Sequence, residues 1–240
     1  MDTTYVFPPQ DTKLKVGDTP SIAETVGYAG SIVKLSAEDG TVVLRRGVRS
    51  GAMSERFSLV PAPINLQGLP NAVVAFADRF VRGPGREDQA LVDLLMRRAP
   101  RLKGRAAAAI RNPNEPLTDA VIRAVMDLDY SYLFIQGPPG TGKTYNAAHA
   151  IIALLRAGKR VGVSSNSHKA IDKLLGEVEK LAAKASFRFS GVKKGNKDKP
   201  ETEFKGLNIT TITDSKQAAP EHRLVGGTAF HFCTEDQRGT

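Results

Sequence analysis

The chain is poor in the residues and segments that mark secreted, zinc-binding or membrane proteins. Its single cysteine, Cys233, excludes an internal disulfide and favours a reducing, cytoplasmic location. The four histidines are scattered and lack the spacing of zinc ligands. No stretch approaches the roughly 18 consecutive apolar residues of a membrane-spanning helix, and the first residues lack the layout of a secretory signal. We therefore expect no membrane partner.

Negative charge is also scarce, because 34 lysines and arginines outnumber 25 acidic residues and leave a formal net charge of +9. An excess of positive charge favours a polyanion such as nucleic acid, although an ordinary solvated surface explains the same number. Two runs concentrate the basic residues, at 97–111 without any acid and at 184–199 with Asp198 alone. This clustering favours a surface that follows a phosphate backbone.

Apolar patterning divides the 240 residues into three parts. Residues 1–65 predict a small β-barrel-like module, because Asp39-Gly40 joins two β-branched runs in the manner of a hairpin turn. Residues 66–115 have helix-period apolar positions and form an accessory helical segment. Residues 116–240 alternate strands and helices, which predicts an α/β fold with a parallel sheet and helices on both faces. In this last part we expect a short buried strand at 133–135, strands at 160–163, 207–212 and 224–228, and helices at 143–157 and 169–181.

Residues 137–144 match the phosphate-loop pattern G-x-x-x-x-G-K-[ST] in full, between a predicted strand and a predicted helix. Glycines let backbone amides turn inward around phosphates, and the following helix adds its free amides and positive dipole end. Lys143 is expected to reach the β- and γ-phosphates, and the Thr144 hydroxyl to ligate Mg²⁺. The predicted nucleotide-binding residues are Gln136, Gly137, Pro138, Pro139, Gly140, Thr141, Gly142, Lys143, Thr144 and Tyr145, of which Lys143 and Thr144 serve catalysis.

The sequence around this loop resembles motif I of superfamily 1 helicases of the 5′→3′ branch, which includes RNA-surveillance helicases and replication nuclease–helicases. Gln136, directly before the loop, is typical of that group. Residues 161–175 resemble its motif Ia, with Asp172 retained but Asn166 where proline is usual and His168 where asparagine is usual. The resemblance implies an ATP-dependent helicase or translocase with a RecA-like P-loop domain, ATP and Mg²⁺ as cofactors, and single-stranded nucleic acid, DNA more than RNA, as partner.

Nucleic-acid contacts are implied at two places in this resemblance. A loop that ends a strand and opens a helix presents amides and short hydroxyls to a strand phosphate. The residues implied are Ser165, Asn166, Ser167 and His168 in motif Ia, and Thr228 at the end of a later strand. Less specific features upstream, such as the hairpin and residues 91–95, resemble a bacterial subgroup in which the helicase follows a RecB-like nuclease domain.

Several parts of such a motor are absent from these 240 residues. No Asp-Glu dipeptide is present to form the Walker B motif that holds the Mg²⁺ shell and positions water. A second RecA-like domain, its arginine and the nuclease motifs are absent too, and residues 114–128 contain no glutamine to contact adenine. We therefore expect an incomplete RecA-like domain, an N-terminal fragment that is inactive as an ATPase by itself.

Two other functions fit the same residues. Ring-forming AAA+ remodelling ATPases use the same phosphate-loop sequence, so an AAA+-type fragment is one alternative. A non-catalytic basic module that binds nucleic acid without ATP is the other.

Overall fold

The computed structural model describes residues 1–48, 50–51, 53–63, 66, 68–104 and 110–234. The chain divides into two compact units, Met1–Asn65 and Leu66–Thr240. In the sequence the first unit has seven basic and seven acidic residues, so the net charge of +9 resides in the second. None of the helices in the described ranges is both long and apolar enough to cross a membrane.

Unit Met1–Asn65 consists of two small antiparallel sheets. Its strands are β1 (Asp2–Val6), β2 (Ser21–Ile22), β3 (Ser31–Ser36), β4 (Thr41–Arg45) and β5 (Leu59–Val60), paired as β1-β4-β3 and β2-β5. The predicted hairpin is confirmed, because β3 and β4 pair antiparallel and Gly40 adopts the positive φ of 58° that the turn requires. Alternate strand residues meet in a core formed by Ala29, Ile32, Val42 and Leu44.

Unit Leu66–Thr240 begins with helices and continues with alternating helices and strands. Its elements are α1 (Leu69–Arg82), α2 (Gln89–Leu95), α3 (Leu117–Asp127), α4 (Lys143–Arg156), β6 (Val161–Ser164), α5 (His168–Lys184), β7 (Gly191–Lys194), β8 (Ile209–Ile212), β9 (Leu224–Gly227) and α6 (Ala229–Phe232). The four strands form one parallel sheet in the order β6-β9-β7-β8. The predicted α/β fold with a parallel sheet is thereby confirmed.

The sheet has an apolar layer on each face. On one face the core joins α4 and α5 to the strands through residues such as Ile151, Leu175, Val178, Ile209 and Leu224. On the other face Val192, Ile212 and Val225 contact Phe232 of the short helix α6. Gly226 allows α5 to approach the sheet closely, since a Cβ there would lie 3.0 Å from a Leu175 methyl carbon.

One predicted strand is wrong. Residues 133–135 precede the phosphate loop but form no strand, and they pair with none of the four strands of the described sheet. Phe134 and Ile135 are 72% and 42% exposed, whereas a buried strand was expected. An apolar run of three residues becomes a strand only when a neighbour satisfies its amides and carbonyls, and no such neighbour lies beside it in the described part of the chain.

Only some of the basic residues in the runs 97–111 and 184–199 are free to form the expected phosphate-binding surface. In the first, Arg98 and Arg101 pair with the fully buried Asp93 of α2, and Arg105 lies outside the described residues. In the second, residues 191–194 form β7, a strand that the sequence pattern did not reveal, and Lys193 is fully buried. The prediction failed at these positions because acids outside the two runs, Asp93 and Asp172, pair with these cations in the folded chain. Lys194 is half-buried, and Lys197 and Lys199 are exposed.

Candidate functional site

The predicted phosphate loop lies at the N-terminus of α4. Gly140 and Gly142 adopt positive φ values of 86° and 80°, which glycine accepts without steric cost. Gly142 directly precedes α4, so the free amides of the first helical turn point toward the loop. The geometry suits an anion because backbone donors, a helix dipole and Lys143 converge on one short turn.

Polar side chains hold the loop in this shape. The Lys143 ammonium donates to the carbonyl oxygens of Gly137 and Pro138, the latter at 2.7 Å. Thr141 Oγ1 also donates to the Pro138 carbonyl, at 2.9 Å. Lys143 and the loop around it are exposed, so the ammonium can exchange these carbonyls for the oxygens of a bound phosphate.

A hydrogen-bonded chain connects α3 to the loop. Thr118 Oγ1 donates to Asn146 Oδ1 at 2.7 Å, and Asn146 Nδ2 donates to the Gly142 carbonyl at 3.1 Å. Asn146 is 6% exposed, and its amide is satisfied at both ends. Sequence reasoning missed both residues; the one available signal was an asparagine among the apolar positions of the predicted helix 143–157.

The predicted nucleic-acid residues meet at one edge of the sheet. Strands β6 and β9 are adjacent and parallel, with Ser164 opposite Gly227, so residues 165–168 and Thr228 leave neighbouring strands side by side. Helix α4 is joined to β6 by only four residues and packs on it, which places the α4 N-terminus at the same carboxyl edge. Ligands of open α/β sheets bind at this edge. The fold therefore places all the predicted site residues, from both motifs, at this edge.

An ion pair between the fully buried Lys193 and the half-buried Asp172 joins β7 to α5, the helix that follows residues 165–167. Lys193 Nζ lies 2.8 Å from Asp172 Oδ1 and also donates to the Thr202 carbonyl. His168, at the start of α5, is one helical turn before Asp172. Burial lowers the pKa of His168, and the positive charges of Lys193, Lys194 and Lys199 lower it further, against the opposing effect of Asp172. The net effect favours the neutral form of His168.

A second concave region lies in the β module. A cleft of about 620 Å³ runs between β1 and residues 55–59, with the edge-to-face rings of Tyr5 and Phe57 in its wall. The unit that contains this cleft has no net charge, and none of the predicted site residues lines it.

Comparison with known proteins finds a family model and a relative that each match about half of the chain. A 117-residue segment, 49% of the chain, is 28% identical to the DNA replication ATP-dependent helicase/nuclease JHS1 of Arabidopsis thaliana. The chain spans only 9% of the length of that relative. The model of the AAA domain family matches residues 112–232, which include α3, the phosphate loop and the whole parallel sheet. Since this match covers half of the chain, the chain belongs to the AAA domain family.

Proposed function

We propose that this chain is the ATP-binding part of an ATP-dependent nucleic-acid helicase or translocase. The observation that carries the proposal is the position of Lys143, which lies against the carbonyls of a glycine-rich loop at the N-terminus of the 14-residue helix α4. Membership of the AAA domain family and the similarity to a replication helicase/nuclease support the same conclusion.

The loop residues fit a nucleoside triphosphate, and we propose ATP. A Cβ at Gly140 would meet nothing within 4 Å, so the loop is open to a ligand there. Gly137, Gly140, Thr141 and Gly142 would donate backbone amides to the phosphates, whereas Pro138 and Pro139, which lack an N–H, would shape the loop. Gln136 and Tyr145 would flank the loop, and the Lys143 ammonium would bind the outer phosphate oxygens. Thr144 would ligate Mg²⁺, an ion that keeps several waters and uses few protein ligands, and whose charge offsets that of the phosphates.

The second half of the proposal is a strand of single-stranded nucleic acid across the carboxyl edge of the sheet. Ser165, Asn166, Ser167 and His168 would contact its phosphates through amides and short side chains, with Thr228 beside them. The exposed Lys197 and Lys199 would add salt-dependent attraction. We propose DNA rather than RNA because the named relative is a DNA replication enzyme.

Translocation needs two RecA-like domains that open and close around ATP, so we propose it for a motor in which this chain is one part. Hydrolysis would require a Walker B carboxylate pair, and the sequence contains no Asp-Glu dipeptide that could supply it. We therefore expect binding of Mg·ATP by this chain without efficient turnover. The relative's name also supports association with a nuclease.

Binding of a fluorescent ATP analogue in the presence of Mg²⁺ tests the nucleotide site. Lys143→Ala should weaken binding by about a hundredfold, because hydrogen bonds to charged groups contribute about 1.5–3 kcal/mol each. Lys159→Ala removes an exposed lysine just after α4 and should leave the affinity unchanged. Equal affinity of the Lys143→Ala variant and the wild type would refute the site.

Binding of a labelled single-stranded oligonucleotide at low salt tests the proposed nucleic-acid site. We expect wild-type binding that falls steeply with salt and that changes when Mg·ATP is added. Strand binding that persists unchanged in Lys143→Ala and is indifferent to ATP would favour the non-catalytic module. Ring assembly on addition of ATP would favour an AAA+-type remodelling ATPase.

A further inference from the structure

Lys193 is the largest side chain that is fully buried in the chain's described residues. It lies on β7, one of the two inner strands, beside β9, with its stem along Gly226 and its ammonium on the α5 side of the sheet. Lysine is almost never buried unless its charge is paired. Here Asp172 Oδ1 lies 2.8 Å from the ammonium and pairs with its charge, and the Thr202 carbonyl accepts a hydrogen bond from it.

The Lys193–Asp172 ion pair is not explained by a contribution to stability alone. Removing two charges from water costs free energy that their attraction often fails to recover, and apolar residues of similar size commonly serve as well. Helix α5 is already attached to the sheet by Ile171, Leu175 and Val178. Apolar contacts of this type resist separation but allow sliding and rotation, whereas an ion pair with a second hydrogen bond fixes one position of the helix.

The fixed position is that of the first two turns of α5. Asp172 is four residues after His168, so the two side chains lie on one face of the helix, and residues 165–168 form the turn that leads into it. The other partner, Thr202, belongs to the segment that follows Lys199, where its hydroxyl accepts from the Asn196 amide at 2.8 Å. One ammonium thus connects the helix start, the inner strand β7 and the lysine-bearing loop.

We propose that Lys193, through Asp172, is a positioning residue that holds the turn of residues 165–168 in register with Thr228 for a nucleic-acid strand. This inference rests on the proposed function, since it assigns a role in strand binding at the same site. Lys193 itself does not contact the nucleic acid, because its side chain is fully buried. Its removal therefore weakens strand binding through misplacement of amides and hydroxyls, with no loss of a direct phosphate contact.

A double variant separates positioning from stability. Lys193→Met/Asp172→Leu replaces the pair by apolar side chains of similar length and leaves the net charge unchanged. We expect it to fold and to bind the fluorescent ATP analogue like the wild type. Its affinity for a single-stranded oligonucleotide should fall at least tenfold. The matched control is Lys180→Met/Glu177→Leu, which removes from the same helix a pair of exposed Lys180 and half-buried Glu177, 2.7 Å apart, and should leave the affinity for the oligonucleotide unchanged.

The salt dependence supplies a readout that a change in stability does not move. Loss of neutral contacts lowers affinity but leaves the slope of log K against log salt unchanged, whereas loss of one direct lysine–phosphate contact reduces it by about 0.7 for a single strand. The expected result is weaker binding with an unchanged slope. Asp172→Asn keeps the shape of the side chain and removes its charge. It should bind the oligonucleotide more weakly, by a smaller factor and with an unchanged slope, and it replaces the double variant in this test if the double variant does not fold.

The outcomes are distinguishable. If the wild type fails to bind the oligonucleotide at low salt, the proposed function fails and this inference fails with it. If the wild type binds and the double variant binds equally tightly, the positioning role alone is overturned. A slope reduced by about 0.7 would overturn it as well, because Lys193 would then contact phosphate directly.

Discussion

The Thr118 hydroxyl lies 2.7 Å from Asn146 Oδ1, and this hydrogen bond joins the first turn of α3 to the phosphate loop. Through Asn146 Nδ2 the connection continues to the carbonyl of Gly142, the residue that precedes α4. Since Asn146 is buried, its amide cannot turn to water when one partner is removed. The orientation of the loop therefore depends on a residue 19 positions before the loop begins.

Replacement of Thr118 by valine tests this connection. Valine keeps the volume of the side chain and removes the hydroxyl, which leaves Asn146 Oδ1 without its donor. The net contribution of one hydrogen bond is about 1 kcal/mol, so we expect the affinity for a fluorescent ATP analogue to fall about fivefold. Isothermal titration or fluorescence anisotropy measures the change.

Thr118→Ser is the matched control, because serine keeps the hydroxyl and should retain near wild-type affinity. Equal nucleotide affinity of the valine and serine variants would show that α3 does not position the loop.

Local signals explain which parts of the fold could be predicted. The loop at 137–144 and the helix after it follow from a short motif, and the β3–β4 hairpin follows from Asp39-Gly40 between two β-branched runs. The strand expected at 133–135 did not follow, because strand formation depends on a neighbouring strand and not on the apolar run itself. Phe134 is accordingly exposed.

Long-range pairing explains what could not be predicted about charge. A lysine in the sequence Val-Lys-Lys-Gly is expected on the surface, yet Lys193 is buried because Asp172, 21 residues earlier, accompanies it. Arg101 is paired at shorter range, with Asp93 eight residues earlier in the chain. The two motifs can be located in the sequence, but the positions of the residues that support them, such as Asn146, follow from the tertiary fold.

Asp93 yields a prediction about stability. Its carboxylate is fully buried on α2 and accepts hydrogen bonds from Gln89 at 2.8 Å, from Ser131 at 3.3 Å and from Arg101. Asp93→Asn removes the charge that strengthens these bonds. Because the arginine partners are about half exposed and can return to water, we expect the free energy of unfolding to fall by about 2 kcal/mol at neutral pH, measured by denaturant unfolding.

Asp93 also makes the stability of the fold depend on pH. Burial by itself raises the pKa of Asp93, but the hydrogen bond from Gln89 and the charge and hydrogen bond of Arg101 outweigh it and hold the pKa below 3.8. A folded-state pKa below the unfolded value stabilises the fold above about pH 4, and this contribution disappears as the pH falls through the folded value. The difference in unfolding free energy between the wild type and Asp93→Asn should therefore become smaller as the pH falls from about 5 to about 3.

The exposed Asp78 of α1 provides the control for this series. Asp78→Asn should change the unfolding free energy by less than about 0.5 kcal/mol at any pH in the range. A difference for Asp93→Asn that stays constant down to pH 3 would mean that the carboxylate is not the source of the stabilisation.

Gly140 offers a test of backbone shape without a change in charge. Gly140 and Gly158 both have positive φ, 86° and 73°, and at both a Cβ would meet nothing within 4 Å. Alanine at either position therefore imposes a similar backbone strain of about 1 kcal/mol, and thermal unfolding should show similar small losses. Only Gly140 lies in the phosphate loop, where relaxation of that strain turns an amide away from the ligand. We expect Gly140→Ala to weaken binding of the ATP analogue at least tenfold and Gly158→Ala to leave it unchanged. Equal affinities of the two variants would show that the left-handed turn at Gly140 does not determine nucleotide binding.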